Sequence, residues 1–141
     1  MWTCPQCGQE FVNQNVRHSC NDRTVGDFLA NKSDKTIELY HYFIDEYQKM
    51  CDFKLHPRKS HIGFAAIIRF GYIHRLGKDY VDVVLQLREP HEETLCFHKV
   101  AGIPGGDLWN HYVRIQEKED VTEEVRRYML MSWEMGMKKG R

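Results

Sequence analysis

The 141-residue sequence contains no long apolar run and no excess of either charge. No stretch reaches the roughly 18–20 consecutive apolar residues that a membrane-spanning helix needs. The start of the sequence lacks the basic-then-apolar pattern of a signal peptide. Twenty Lys and Arg balance twenty Asp and Glu, so the global charge does not point to nucleic acid or to a membrane surface. These absences predict a cytoplasmic protein that does not enter a membrane.

Cysteine is scarce and unevenly placed. Of the five cysteines, three lie within the first twenty residues. An odd number of cysteines without a secretion signal argues against a disulfide framework. The crowding of three thiols into so short a segment suits a metal site better than a covalent bridge.

The N-terminal segment has the ligand spacing of a zinc site. Cys4 and Cys7 belong to a Cys-Pro-x-Cys-Gly turn, and His18 and Cys20 follow two residues apart. A structural zinc takes four N or S ligands in a tetrahedron and leaves no position open for water. We therefore predict that residues 1–22 form a zinc knuckle with one structural Zn²⁺, which supplies most of the folding energy of so short a segment. The alternative, a redox cysteine pair, normally follows a strand and opens a helix.

The remainder, residues 23–141, changes from a helical period to a strand period and back. Apolar residues recur every third or fourth position between 33 and 51, and again after a capping pattern formed by Asp120 and Glu123. Between these helices the apolar residues alternate, and Gly71 is expected to lie in a turn. The predicted strands cover residues 54–56, 60–70, 80–87, 95–100 and 109–116. This order predicts an α+β core domain, with an antiparallel sheet of four to five strands and helices packed on one face.

Four segments together resemble a bacterial family of unknown function. They are the knuckle pattern, Gly63-Phe64, the segment Asp79–Leu85 and the segment Trp109–Ile115. The core domain of that family occurs alone, behind such a zinc knuckle, or at the end of longer proteins labelled predicted transport proteins or related to restriction. The resemblance covers nearly the whole chain and implies the same fold and the same knuckle. It implies no established activity and no catalytic residue.

The face of the predicted sheet that points away from the helices is the best candidate for a binding surface. Strand alternation places on it Arg69, Tyr80, Asp82, Gln86, Tyr112 and Arg114. The stretch from 52 to 78 carries six basic residues against one acid and adds Arg58, Lys59, Arg75 and Lys78 to the candidate surface. Sheet faces with aromatic and arginine side chains bind single strands by stacking and by phosphate attraction. The alternative is a solvated face on which Arg114 pairs with Asp82, a kind of pair worth about 0–1 kcal/mol.

No catalytic group emerges from the histidines, cysteines or glycines. Cys96 and His98 share a strand face but lie roughly 6–7 Å apart along the strand, which exceeds the reach between a nucleophile and its base. His111 is expected to be a hydrogen-bonded core residue. The glycine-rich segment 104–107 lacks the Lys-Ser/Thr of a phosphate-binding loop and is expected to be a plain loop.

Three functional hypotheses follow. The first is a zinc-containing, non-enzymatic module that binds nucleic acid through the basic and aromatic sheet face or works beside nucleic-acid enzymes. The second is a protein–protein adaptor with structural zinc, in which the methionines between Met129 and Met137 form the contact surface. The third is a small-molecule binder or enzyme that uses the polar sheet face. The sequence leaves these three open.

Overall fold

The computed structural model describes residues 2–3, 10–11 and 24–138. The first two segments are the short strands β1 (Trp2–Thr3) and β2 (Glu10–Phe11), which pair in antiparallel fashion. The predicted zinc ligands Cys4, Cys7, His18 and Cys20 lie outside the described residues, so the zinc knuckle stays a prediction.

Two capped helices open the core domain. The first, α1 (Val25–Leu29), begins after Thr24, whose hydroxyl accepts from the amide of Asp27 while the Asp27 carboxylate accepts from the amide of Thr24. This reciprocal capping satisfies two backbone donors that a helix start leaves without partners. The second, α2 (Asp34–Met50), is capped by Ser33. Its buried side chains recur at helical spacing, as the sequence predicts, and they are Thr36, Leu39, Tyr40, Phe43, Ile44 and Tyr47.

A six-stranded antiparallel sheet follows α2. Its strands are β3 (Lys54–Pro57), β4 (Ile62–Ala65), β5 (Arg69–Gly77), β6 (Tyr80–Leu87), β7 (Lys99–Gly102) and β8 (Trp109–Ile115). Their order across the sheet is β3-β4-β5-β6-β8-β7. The α+β fold with an antiparallel sheet is therefore confirmed, and the sheet has one strand more than the expected upper number.

The additional strand arises because the predicted strand 60–70 is interrupted. The amides of Ile67 and Ile68 both donate to the carbonyl of Gly136, at 3.0 and 2.9 Å, and so leave the sheet. Gly71 lies inside β5 and not in a turn. A Cβ at Gly71 would stand 2.6 Å from the carbonyl oxygen of Val84, so the close approach of β5 to β6 requires glycine here.

Two further boundaries differ from the prediction. The strand expected at 95–100 forms at Lys99–Gly102, since β7 pairs with β8 only from Lys99 onward. The last helix, α3 (Glu123–Gly136), is capped by Thr122 and not by Asp120. The carboxylate of Asp120 instead accepts from the amides of Gln116 and Glu117 in the preceding turn.

Helices α2 and α3 cover the same face of the sheet, and both contact β5 and β6. Tyr47 donates its hydroxyl hydrogen to the carbonyl of Met129 at 2.6 Å, which ties the two helices together. The core between them is aromatic, and its fully buried rings include Tyr40, Phe43, Tyr47, Phe64 and Phe70. Within the residues that the structure describes, no helix is long and apolar enough to cross a membrane.

Candidate nucleic-acid interface

The sheet face opposite α2 and α3 carries rings and charges in cross-strand register. Tyr72 on β5 lies opposite Val84 on β6, which lies opposite Tyr112 on β8, which lies opposite Lys99 on β7. We call this surface the polar face and define it by His61, Arg69, Tyr72, His74, Tyr80, Asp82, Gln86, His98, Lys99, Tyr112 and Arg114. Because side chains at paired positions stand on the same side of a sheet, the register gathers most of these groups from four strands. His61 and His98 join them from the loops that precede β4 and β7.

A continuous chain of ring contacts crosses the polar face. The ring of Tyr72 lies 4.9 Å from that of His61 and 6.3 Å from that of His74, measured between centroids. His74 in turn contacts Tyr112 edge-on at 5.4 Å, and Tyr112 lies 6.1 Å from His98. These separations fall within the range of favourable ring pairs, so each ring helps to hold the next in place.

Cationic groups flank the rings. The guanidinium of Arg69 lies 3.1 Å from the imidazole Nε2 of His61. The Nζ of Lys99 stands 5.1 Å from the ring centroid of Tyr112, and the guanidinium of Arg114 stacks 4.2 Å above the ring of Tyr80. Cations positioned over aromatic faces gain from the ring quadrupole. Arg69 and Lys99 also place positive charge beside His61 and beside Tyr112 in the ring chain.

The six strands of this sheet contain five Lys and Arg residues but only one acid, Asp82. Arg114 neutralises Asp82 through two hydrogen bonds, Nε to Oδ1 at 2.8 Å and Nη2 to Oδ2 at 3.0 Å. His98 Nε2 lies 4.0 Å from the same carboxylate. The hydrogen bonds that Arg114 donates to Asp82 raise the pKa of Arg114 above its ordinary value. The polar face is therefore net cationic even though the whole chain is neutral.

Burial sets the protonation of two side chains on this side of the sheet. Desolvation, with a smaller contribution from Tyr112, raises the pKa of Tyr72 to about 12, so its phenol stays neutral and can donate a hydrogen bond. His56 lies opposite Gly63 on the neighbouring strand. Burial, followed by the nearby charges of Arg69 and Arg58, lowers the pKa of His56. Both groups are uncharged near neutral pH and offer ring surfaces or hydrogen bonds to a ligand.

The structure distributes the sequence-predicted residues between the polar face and its margins. Arg69, Tyr80, Asp82, Tyr112 and Arg114 lie on the face, and Gln86 joins them through a 3.2 Å hydrogen bond to Asn110. Three others lie elsewhere. Arg58 and Lys59 occupy the turn between β3 and β4, and Lys78 occupies the turn between β5 and β6. Arg75 lies on the outer part of β5, opposite Asp82, and so stands at the edge of the polar face.

Sequence reasoning missed Tyr72, His98 and Lys99 as members of this surface. The sequence pattern does not assign Tyr72 to this surface, because Gly71 is predicted to end the strand. Strict alternation from Arg69 and Phe70 places Tyr72 on the side of the helices. Only the register shift between β4 and β5, where Phe64 pairs with Gly71 but Ala65 pairs with Arg69, turns Tyr72 to the side of Tyr112. Assigning Lys99 to this surface requires knowing that β7 begins at this residue. That start depends on pairing with β8 and cannot be recognised from the local sequence pattern.

The remaining reactive side chains have structural explanations. His111 is fully buried, accepts from the amide of His91 at Nε2 and lies 2.9 Å from the carbonyl of Trp109 at Nδ1, as expected for a core histidine. Burial raises the pKa of Cys96 to about 12 and that of Cys51 to about 11, so neither thiol is an activated nucleophile. In the described part of the chain no three His, Cys, Asp or Glu side chains converge as metal ligands.

The C-terminal methionines divide between core and surface. Met129 and Met135 are buried against the sheet, whereas Met131 and Met137 are more than one third exposed. Leu130 is also partly exposed. The helix therefore uses half of these methionines for packing, in keeping with the usual role of methionine as a gap filler.

Comparison with known proteins identifies a family. Residues 25–136 match a family model described as Domain of unknown function (DUF5655). No curated protein and no solved structure matches the chain. The match covers α1 through α3, which is the whole core domain, and it bears out the expectation of a family without an assigned activity.

Proposed function

The chain belongs to the DUF5655 family, and on that premise we propose that its core domain binds single-stranded nucleic acid through the polar face. The observation that carries this proposal is the chain of ring contacts from His61 through Tyr72 and His74 to Tyr112, flanked by cations. Unstacked bases of a single strand stack on such rings, while cations beside them attract the phosphates. No catalytic step is part of the proposal.

A single strand fits this surface better than a duplex. Rings contribute by stacking only when bases can leave their own stack, which the bases of a duplex cannot do without paying for unpairing. The rings and cations also stand on a sheet face, and within residues 24–138 neither a helix nor a strand ribbon projects from that face to enter a major groove. We therefore expect a clear preference for single-stranded over double-stranded oligonucleotides of the same sequence.

The proposal includes a structural zinc at the N-terminus. Cys4, Cys7, His18 and Cys20 are the proposed ligands, and four protein ligands leave none of the coordination sphere open for chemistry. The core domain has its own buried aromatic core. The zinc is thus expected to fold the knuckle and not the sheet.

Binding is expected to weaken as salt is added, because phosphate contacts release counterions. Contacts by Arg69 and Lys99 alone predict a slope of about −1.4 for log K against log salt on a single strand. Lys99→Gln is expected to weaken binding and to make that slope shallower by about 0.7. Fluorescence anisotropy with a labelled mixed-sequence oligonucleotide at several salt concentrations measures both quantities.

The matched control for this experiment is Lys49→Gln. Lys49 is an exposed lysine on α2, on the opposite side of the sheet, where it pairs with Glu46 at 3.0 Å. The Lys49→Gln variant should leave unchanged both the affinity for the oligonucleotide and the slope of log K against log salt. Absence of binding to DNA and RNA single strands at low salt would rule out the proposed function.

Purified protein is expected to contain about one zinc per chain, since the four ligands form one closed site. Cys7→Ala is expected to lose nearly all of this zinc, whereas Cys96→Ala, which also removes one thiol, should keep it. Elemental analysis checks the zinc content, and far-ultraviolet circular dichroism checks that the core domain stays folded. Full zinc occupancy in Cys7→Ala would show that the ligand set is wrong.

A further inference from the structure

We propose that an open groove beside β5 binds the terminal phosphate of the strand that lies on the polar face. This inference rests on the proposed function and adds a recognised chemical group to it. Strand β4 begins at Ile62, opposite Ile73, so the outer part of β5, residues 74–77, extends beyond its neighbour. The groove lies along this extension, has a volume of about 390 Å³ and is bordered by Phe28 and Lys32 on the side of α1.

The polar lining of the groove suits an anion. Lys32, Ser60, His74 and Arg75 line it, and no carboxylate does. Within the described part of the chain, neither Lys32 nor Arg75 forms an ion pair. Asp79, four residues after Arg75, accepts a hydrogen bond from the hydroxyl of Ser33 at 2.6 Å. Asp82, which lies opposite Arg75 in the sheet, accepts two hydrogen bonds from Arg114.

Uncompensated cations side by side repel each other, and an anion between them removes that repulsion. A phosphate monoester carries nearly two negative charges and three acceptor oxygens. It can accept hydrogen bonds from an ammonium, a guanidinium and a hydroxyl at the same time. An internal phosphodiester has one charge and cannot enter an open groove end-on without its flanking nucleotides. The chemistry therefore favours a strand end over a position within the strand.

Two residues join the groove to the polar face. His74 lines the groove, and its ring also contacts Tyr112 at 5.4 Å. Tyr80 also lines the groove, and the guanidinium of Arg114 lies 4.2 Å from the centroid of its ring. A strand whose last base stacks beside His74 would thus hold its terminal phosphate within reach of Lys32 and Arg75.

The test compares one oligonucleotide sequence in three forms, with a 5′-phosphate, with a 3′-phosphate and with hydroxyls at both ends. One phosphorylated form is expected to bind about tenfold more tightly, the gain typical of one charge-assisted hydrogen bond. The double variant Lys32→Gln, Arg75→Gln is expected to reduce this form to the affinity of the unphosphorylated one. The matched control Lys35→Gln, Lys49→Gln removes two lysines from α2 and should keep the tenfold difference.

Each other outcome overturns the inference in a distinguishable way. Equal binding of all three forms would disprove the phosphate site but would not contradict the proposed function. Failure of every form to bind would remove both. A nucleoside monophosphate that binds as tightly as the phosphorylated strand, and competes with it, would make the groove a mononucleotide site instead of a strand-end site.

Discussion

Replacing both Tyr72 and Tyr112 with alanine is expected to weaken single-strand binding by at least about 30-fold. Stacking of one base on one aromatic ring is worth about 1–3 kcal/mol by alanine substitution, so two rings account for at least about 2 kcal/mol. Both rings belong to the same contact chain, linked through His74. Loss of either one also removes support from its neighbour, so the two single variants should not be strictly additive. Anisotropy titration at one fixed, low salt concentration measures the effect.

Two controls separate stacking from other causes. The double Tyr→Phe variant at positions 72 and 112 keeps both rings and should retain most of the affinity. Tyr42→Ala removes a partly buried tyrosine from α2, where its hydroxyl meets Arg126 at 3.4 Å, and should not change binding. Val84 is fully buried between the two rings, so circular dichroism must confirm that the double alanine variant stays folded. Undiminished binding by a folded double alanine variant would exclude the polar face as the binding surface.

Tyr47→Ala is expected to destabilise the core domain by about 3–5 kcal/mol, the usual cost of deleting a fully buried aromatic side chain. Tyr47 has no exposed surface. Its ring meets Phe53, Phe64 and Phe70 at centroid distances between 4.9 and 5.8 Å. Removing it leaves a cavity where α2, α3 and the sheet meet. Since domains of this size are stable by only about 5–15 kcal/mol, the variant should unfold at a much lower urea concentration.

The variant Tyr47→Phe separates the contribution of the hydroxyl group to stability from that of the ring. Tyr47→Phe keeps the ring and loses only the hydrogen bond to the carbonyl of Met129, for an expected cost of about 0.5–1.5 kcal/mol. Tyr42→Ala again serves as the control, because that side chain is only partly buried and packs against the margin of the core; its cost should be much smaller than that of Tyr47→Ala. A Tyr47→Ala midpoint equal to that of the unmodified protein would show that the core does not depend on this ring cluster.

The pairing of Arg114 with Asp82 bears on both interpretations of the polar face. The pair forms as the solvated-face alternative expects, with two hydrogen bonds. It does not account for Arg69 or Lys99, which contact His61 and Tyr112 instead of a carboxylate. Because Asp82 is the only acid in the six strands, the remaining positive charge on the face has no internal counterpart there. That surplus favours an anionic ligand.

Local sequence was sufficient for the elements whose packing follows a simple period. The apolar stripe from Leu39 to Tyr47 predicts α2, because helical spacing places all its members on one face. The alternation in β6 and β8 predicts which residues face the helices and which face away, so Tyr80, Asp82, Tyr112 and Arg114 were found without the structure. Sequence alone also supplies the proposed zinc ligands, since their spacing is a local property.

Tertiary structure decided whatever depends on residues distant in the chain. The break between β4 and β5 occurs because Gly136, at the end of α3, takes the amides of Ile67 and Ile68 from the sheet. The place of Tyr72 beside Tyr112 depends on the register of β5, β6 and β8. The groove joins Lys32, near α1, with Arg75 on β5. A local pattern records only what its own residues prefer, whereas these contacts follow from which partner each backbone group and each charge finds once the chain has folded.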